Sequence, residues 1–244
     1  SIKIVKKMYL ISFDSLPNTN EFLVDLSKKD ANSWTVIHAK NQTKGKGYAG
    51  NEWKVVAGEN LTFSFLLKTD YSFQELIYFN EWISNVICLF LKQFHPKSNV
   101  KWPNDIILND KKVCGILIEN HRSNGIMNSV IGIGINVNQA DFNHLPKATS
   151  IRKVTDKEYD IEEILADLMH HFENEYPILE QKKFEQIHQT YLDNLFRKDE
   201  ISHFRLDGVE VDGMIRDVNE AGNLLIEINQ ELREFKHKEI ELLF

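Results

Sequence analysis

The sequence predicts an α+β protein, with a larger mixed-sheet domain followed by a small all-β domain. Three observations predict it. The eleven glycines fall in three groups, 45–58, 115–134 and 208–222, which leaves the stretches between them to regular elements. Between residues 99 and 137, short apolar runs alternate with turn residues, as in a meander. From residue 201 the runs stay short, at 201–206, 209–215, 223–228, 232–236 and 240–243, broken by Asp207-Gly208, Ala221-Gly222 and Asn229-Gln230. The expected division is 1–196 for the larger domain and 197–244 for a small barrel.

Taken in order, residues 19–29 read as a short helix capped by Asn18 or Thr19, with Phe22, Leu23 and Leu26 as its apolar stripe. Residues 34–39 and 61–67 read as strands. The clearest helix spans 73–94: Ser72 and Glu75 stand in capping-box spacing, and nine apolar side chains from Phe73 to Phe94 follow the helical period, with Pro96 beyond the end. Strands follow near 99–102 and 105–109, then a turn at Asp110-Lys111 and a strand over 112–119. A turn at Asn124-Gly125 leads to a strand over 129–137. Residues 161–176 and 180–195 read as helices.

Composition narrows the function. With 42% hydrophobic and 27% charged residues, the chain suits a globular protein and excludes disordered and collagen-like classes. The 29 basic and 36 acidic residues leave a net charge of −7, which disfavours general nucleic-acid binding. An anionic ligand must then be met by local cations. Segment 151–200, with 7 basic and 13 acidic residues, reads as a solvated acidic surface, and His170-His171 within it as surface or packing residues. Cys88 and Cys114 lie in apolar runs and are too few for a disulfide framework or thiolate zinc site, so a reducing cytoplasm is expected. No run approaches the roughly 18 apolar residues of a membrane helix, and no secretory signal is visible.

Gly45-Lys46-Gly47-Tyr48-Ala49-Gly50 is a literal G-x-G-x-x-G. As a dinucleotide fingerprint it lacks the helix that must follow; the β-rich run from Leu61 occupies that place. As a P-loop it fails because Asn51-Glu52 follows Gly50. Two readings remain open: an anion cradle of backbone N–H groups with Lys44, Lys46 and Lys54, or a solvated loop. A second constellation is Lys101-Trp102-Pro103-Asn104-Asp105, either a plain turn or a turn that sets Lys101 and Asp105 at the end of a sheet. Lys112 enters an apolar strand, where a lysine needs an anionic partner. Along 131–138 glycine alternates with isoleucine, so one strand face is stripped of side chains. That suits tight sheet packing or a slot for a flat ligand, with Asn136 at its end.

Lys101–Asp105, Lys112 with Gly115-Ile116-Leu117-Ile118-Glu119, and Gly132–Asn136 together resemble the biotin protein ligases. The loop Gln42–Gly47 with Trp53, and Asn18-Thr19-Asn20, fit the same pattern from about residue 9 onward. The resemblance implies a mixed-sheet catalytic domain of the class II aminoacyl-tRNA synthetase-like type and an SH3-like C-terminal barrel. It implies activation of biotin by ATP and magnesium to biotinyl-adenylate, and acyl transfer to a lysine of a biotin carboxyl carrier domain. The implied catalytic cations are Lys46, Lys101 and Lys112. Asn18, Thr19, Gln42, Gly45, Lys46, Lys112, Gly115, Ile116 and Gly134 would surround biotin. Lys46, Trp53, Lys101, Asn104, Asp105 and Asn136 would meet the nucleotide, with Asp105 on the metal side. The glycine loop is expected to become rigid on binding. Three positions depart from the family: Lys46 gives a point charge where arginine gives a fork, Tyr48 is uncharged where the family has a second basic residue, and Asn18 stands where the family often has serine. The short lead before residue 9 leads us to expect no DNA partner, and the sequence leaves homodimerisation open. Lipoate–protein ligase and a non-catalytic biotin or nucleotide sensor are the rival readings.

Overall fold

The computed structural model describes residues 2–5, 8–53 and 56–244. Lys54, expected near the anion cradle, lies outside them. The larger sheet contains β1 (Ile2–Val5), β2 (Met8–Leu16), β3 (Thr35–Gln42), β4 (Asn60–Thr69), β5 (Ser98–Lys101), β6 (Asp105–Leu108), β7 (Lys111–Ser123) and β8 (Ile126–Asn136). Its order is β1-β2-β3-β4-β8-β7-β6-β5. The β2–β3 pair is parallel and the neighbouring pairs are antiparallel, so the sheet is mixed. The helices are α1 (Thr19–Ser27), α2 (Leu76–Leu91), α3 (Ile151–Thr155), α4 (Ile161–Glu180) and α5 (Phe184–Asn194). A second, antiparallel sheet follows: β9 (Ile201–Leu206), β10 (Val209–Val218), β11 (Leu224–Ile228), β12 (Glu231–Phe235) and β13 (Glu241–Leu243), in the order β12-β11-β10-β9-β13.

Strand alternation divides the sheet into two faces. From β4, Phe63, Phe65 and Leu67 join the main core with Phe79, Trp82 and Phe172 of α2 and α4. Leu66 turns to the other face and packs with Leu23 of α1, Ile37 and Val130. Asn18 caps α1, its side-chain oxygen accepting from the Glu21 amide at 3.1 Å. On this α1 face the register aligns two rows: Thr62, Gly134 and Gly115, then Ser64, Gly132 and Leu117. The glycines of β7 and β8 clear a shallow track, bordered by Thr62 and Ser64 of β4.

The capping box forms: Ser72 Oγ accepts from the Glu75 amide at 3.2 Å, and Glu75 accepts from the Ser72 amide at 2.7 Å. Three turn residues intervene before α2, so Phe73 stands 61% exposed instead of starting the stripe. The helix ends at Leu91, short of the expected 94. The first hairpin turn is Asn109-Asp110, both at positive φ (48° and 65°), one residue earlier than expected. Helix α4 continues through Pro177, because proline there forgoes only one amide bond near the end. Strands β1 and β2 and helix α3 were not expected, since 8–16 lacks clean alternation and α3 is five residues long.

The two sheets share one core, which includes Phe204, Ile215 and Ile226 of the second. Trp102 spans them: its indole Nε1 donates to the Gly222 carbonyl at 3.0 Å. The Trp102–Pro103 peptide is cis.

Candidate active site

A cavity of about 240 Å³ opens over the glycine track on the α1 face. Its floor is a chain of hydrogen bonds. Gln42 Oε1 accepts from the Thr19 amide at 2.9 Å and from Thr19 Oγ1 at 3.3 Å, and Thr19 Oγ1 lies 2.7 Å from Ser64 Oγ. Ser64 Oγ donates to Asn20 Oδ1, and Asn20 Nδ2 donates to the Leu117 carbonyl and Glu119. Asn18 completes the rim by donating to the Lys44 carbonyl at 3.1 Å. Such a floor presents fixed donors and acceptors to a polar ring, and α1, β3 and β4 all hold it in place.

The far end is cationic. Lys112 Nζ lies 2.9 Å from Asp105 Oδ1, the anionic partner that a lysine in an apolar strand requires. Lys101 lies beside them. Burial lowers its pKa foremost; Asp105 opposes that, while Lys112 and Lys147 add to it. Its ammonium sits 5.4 Å from the Phe244 ring centre. Asn104 Nδ2 donates to the Ile116 carbonyl at 3.3 Å, tying the turn to β7.

Of the residues singled out from sequence, Asn18, Thr19, Gln42, Lys46, Trp53, Lys101, Asn104, Asp105, Lys112, Gly115, Ile116 and Gly134 line this one cavity. Others stand differently. Lys46 lines the wall, but its ammonium pairs with Glu21, which raises its pKa, so the expected trio of converging cations is a pair with a third across the cleft. Gly45 lies behind the lining, where a Cβ would overlap the Trp53 carbonyl. Asn136 is buried away from the cavity, its Nδ2 donating to the Thr149 carbonyl at 3.1 Å. The glycine loop is folded on itself. The Gly47 amide donates to the Asn51 carbonyl at 2.6 Å and the Trp53 amide to the Gly45 carbonyl at 3.2 Å, so those two N–H groups are not offered to an anion.

The flat slot expected along β8 holds a flat group from the chain itself. A Cβ at Gly134 would overlap the Trp53 indole, and one at Gly115 would lie 3.0 Å from it. The indole Nε1 is buried with no partner among the described residues. Gly132 makes room instead for the Asn20 side chain.

Two further lining residues stand out: Asn20, named from sequence only beside Asn18 and Thr19, and His237. Asn20 had a signal: it is a polar residue three positions before Leu23, on the inner stripe of α1, and it is buried. His237, from the β12–β13 connection, had none, because only tertiary folding brings it to the cavity. Asp105, the residue expected on the metal side, pairs with Lys112, and no group of three or more His, Cys, Asp or Glu side chains suited to a metal occurs among the described residues; a magnesium ion carried by a nucleotide needs only one or two protein carboxylates.

Comparison with known proteins places these features. The chain is similar to the bifunctional ligase/repressor BirA of Bacillus subtilis, at 27% identity over 98% of this chain and 75% of that protein. It is 29% identical to the biotin–[acetyl-CoA-carboxylase] ligase of Paracoccus denitrificans, over 78% of this chain and 82% of that one. The match to BirA of Escherichia coli, at 32% identity, covers half of this chain and 38% of that protein. Among solved structures, the biotin protein ligase of Aquifex aeolicus in complex with biotin and ATP superposes with a TM-score of 0.77 at 26% identity, over 96% of this chain and 98% of that one. The model of the biotin/lipoate A/B protein ligase family matches residues 11–136, which run from β2 to the end of β8 and carry every strand of the glycine track. The chain therefore belongs to the biotin/lipoate A/B protein ligase family.

Proposed function

We propose that the protein is a biotin–protein ligase, which activates biotin with ATP and transfers it to a lysine of a carboxylase carrier domain. One observation carries the reading: a single cavity joins a polar floor at Thr19 and Gln42 to a cationic end at Lys101 and Lys112. A ligand with a polar ring at one end and a carboxylate at the other fits that distribution.

In the first step a biotin carboxylate oxygen attacks the α-phosphorus of ATP, and the bond to the β-phosphate oxygen breaks, releasing pyrophosphate. Two anions must approach, so fixed positive charge lowers the barrier. Lys112, held by Asp105, is placed for that charge, with Lys101 beside it. In the second step a carrier amine attacks the acyl carbon, the bond to the phosphate oxygen breaks, AMP leaves and an amide forms. This route needs no covalent attachment to the enzyme. Magnesium enters as the counter-ion of ATP. Trp53, Asn104 and Asp105 form the nucleotide side; Asn136, which lies outside the cavity lining and donates to Thr149, is left out of it.

We read the first sheet as related to the class II aminoacyl-tRNA synthetases and the second as an SH3-like barrel. Two hydrogen bonds support a boundary at 196: the Phe196 amide donates to Val100 in the first sheet and the Asp199 amide to Ile215 in the second. The two buried free thiols suit a reducing cytoplasm, and no helix among the described residues is long and apolar enough to cross a membrane. The reading includes no DNA partner; sedimentation would read whether the chain forms a homodimer.

The test is incubation with labelled biotin, ATP and a carrier domain. Pyrophosphate release followed by label on the carrier is expected. Transfer of lipoate in preference to biotin would move the assignment within the family, and binding without pyrophosphate would make the protein a sensor. Lys112→Ala should slow adenylate formation by about 10²–10³-fold, the scale of losing one preorganised charge, with the thermal midpoint retained. Undiminished pyrophosphate release by the folded variant would remove Lys112 from the reaction.

A further inference from the structure

We propose that His237 is a positioning residue for the adenylate chemistry: it holds the glycine loop against the second sheet through Tyr48. The inference rests on the ligase reading for its consequence, but its geometry does not. Tyr48 stands at the tip of the loop, where the family pattern has a charged side chain. Its ring meets the His237 imidazole edge-on, with centroids 4.8 Å apart. His237 also packs on Trp102 at 5.9 Å, and Trp102 is anchored to Gly222 of the second sheet. Thus a ring from the loop, a ring from the lysine-bearing turn and a ring from the second sheet converge at the cavity mouth. The next loop residue, Ala49, is left-handed at φ 56°, a conformation that costs a non-glycine residue and persists when neighbouring contacts hold it. Tyr48 is the neighbour placed to do so. Burial foremost, then Lys238, lowers the imidazole pKa, which leaves a neutral ring to stack.

A loop held by ring contacts in place of a second charge needs that contact to retain the activated intermediate. The lost bidentate phosphate grip is offset by closure from the outside.

The experiment compares His237→Ala, His237→Phe, Tyr48→Ala and the double alanine variant in two arms. In the first, each protein without ligand is exposed to trypsin and cleavage after Lys44 and Lys46 is timed. In the second, biotinyl-adenylate is formed on the enzyme and its release timed after a chase. His237→Ala should speed both about three- to tenfold, the scale of one aromatic pair. Phenylalanine should restore the parent rates, and the double variant should be no worse than either single one. Parent rates in His237→Ala, or effects of the two alanines that multiply, would overturn the latch. Failure of the parent to form adenylate would instead sink the ligase reading, and the trypsin arm would still decide the latch.

Discussion

At the scale of single residues, the site is set as much by missing side chains as by present ones. Gly134 and Gly115 have no Cβ because the Trp53 ring lies where it would be. Gly134→Ala should therefore expel the indole, at a cost of about 1–3 kcal/mol of packing strain. Trp53 emission should shift red and biotin affinity should fall; unchanged emission and affinity would show that the strands yield instead. This scale was legible in the sequence where the chemistry is local. Lys101, Asp105 and Lys112 lie within twelve residues of one another and form one cationic end. It was illegible where partners come from afar. Asn136 looked available, but it lies outside the cavity lining, bonded to Thr149, and Lys46 looked free to meet an anion, but Glu21 holds it. No local pattern announces either partner.

At the scale of elements, periodicity located the long helices and the meander, while their ends obeyed caps and turns. The reciprocal Ser72–Glu75 bonds sit one turn ahead of α2 and fix its entry. Ser72→Ala should cost about 1 kcal/mol, read as a lowered denaturation midpoint with an unchanged denaturant slope. Strand β2 was missed because its parallel partner β3 and the antiparallel pairing with β1 define it, not its own alternation. The β7–β8 hairpin was legible because Asn124-Gly125 is a two-residue turn with both residues at positive φ, 51° and 77°. The turn sets the register that lines up Gly115 with Gly134.

At the scale of the whole molecule, acid should loosen the fold through His38. Both of its ring nitrogens are buried on β3 without hydrogen-bond partners among the described residues, and burial foremost lowers its pKa, with Glu162 opposing and Lys40 assisting. The unfolded chain, with an ordinary imidazole near pH 6.5, then binds more protons than the folded one as pH falls. The His38 contribution is intact above that value and is lost below it. His188 has the opposite sign: contact with buried Glu81 raises its pKa, so its contribution is present in acid and fades as pH rises through the raised value. His38→Leu should flatten the drop in thermal midpoint between about pH 7 and about pH 5. An equal drop in that variant would place the acid sensitivity elsewhere.

An indole already seated between β7 and β8 also changes the thermodynamics of filling the slot. A ring that settles beside Trp53 meets strand backbone the indole already covers, so less nonpolar area leaves water than the ligand's own size implies. Calorimetry across a range of temperatures should then show binding enthalpies that vary only gently, a small heat-capacity change for a tightly enclosed guest.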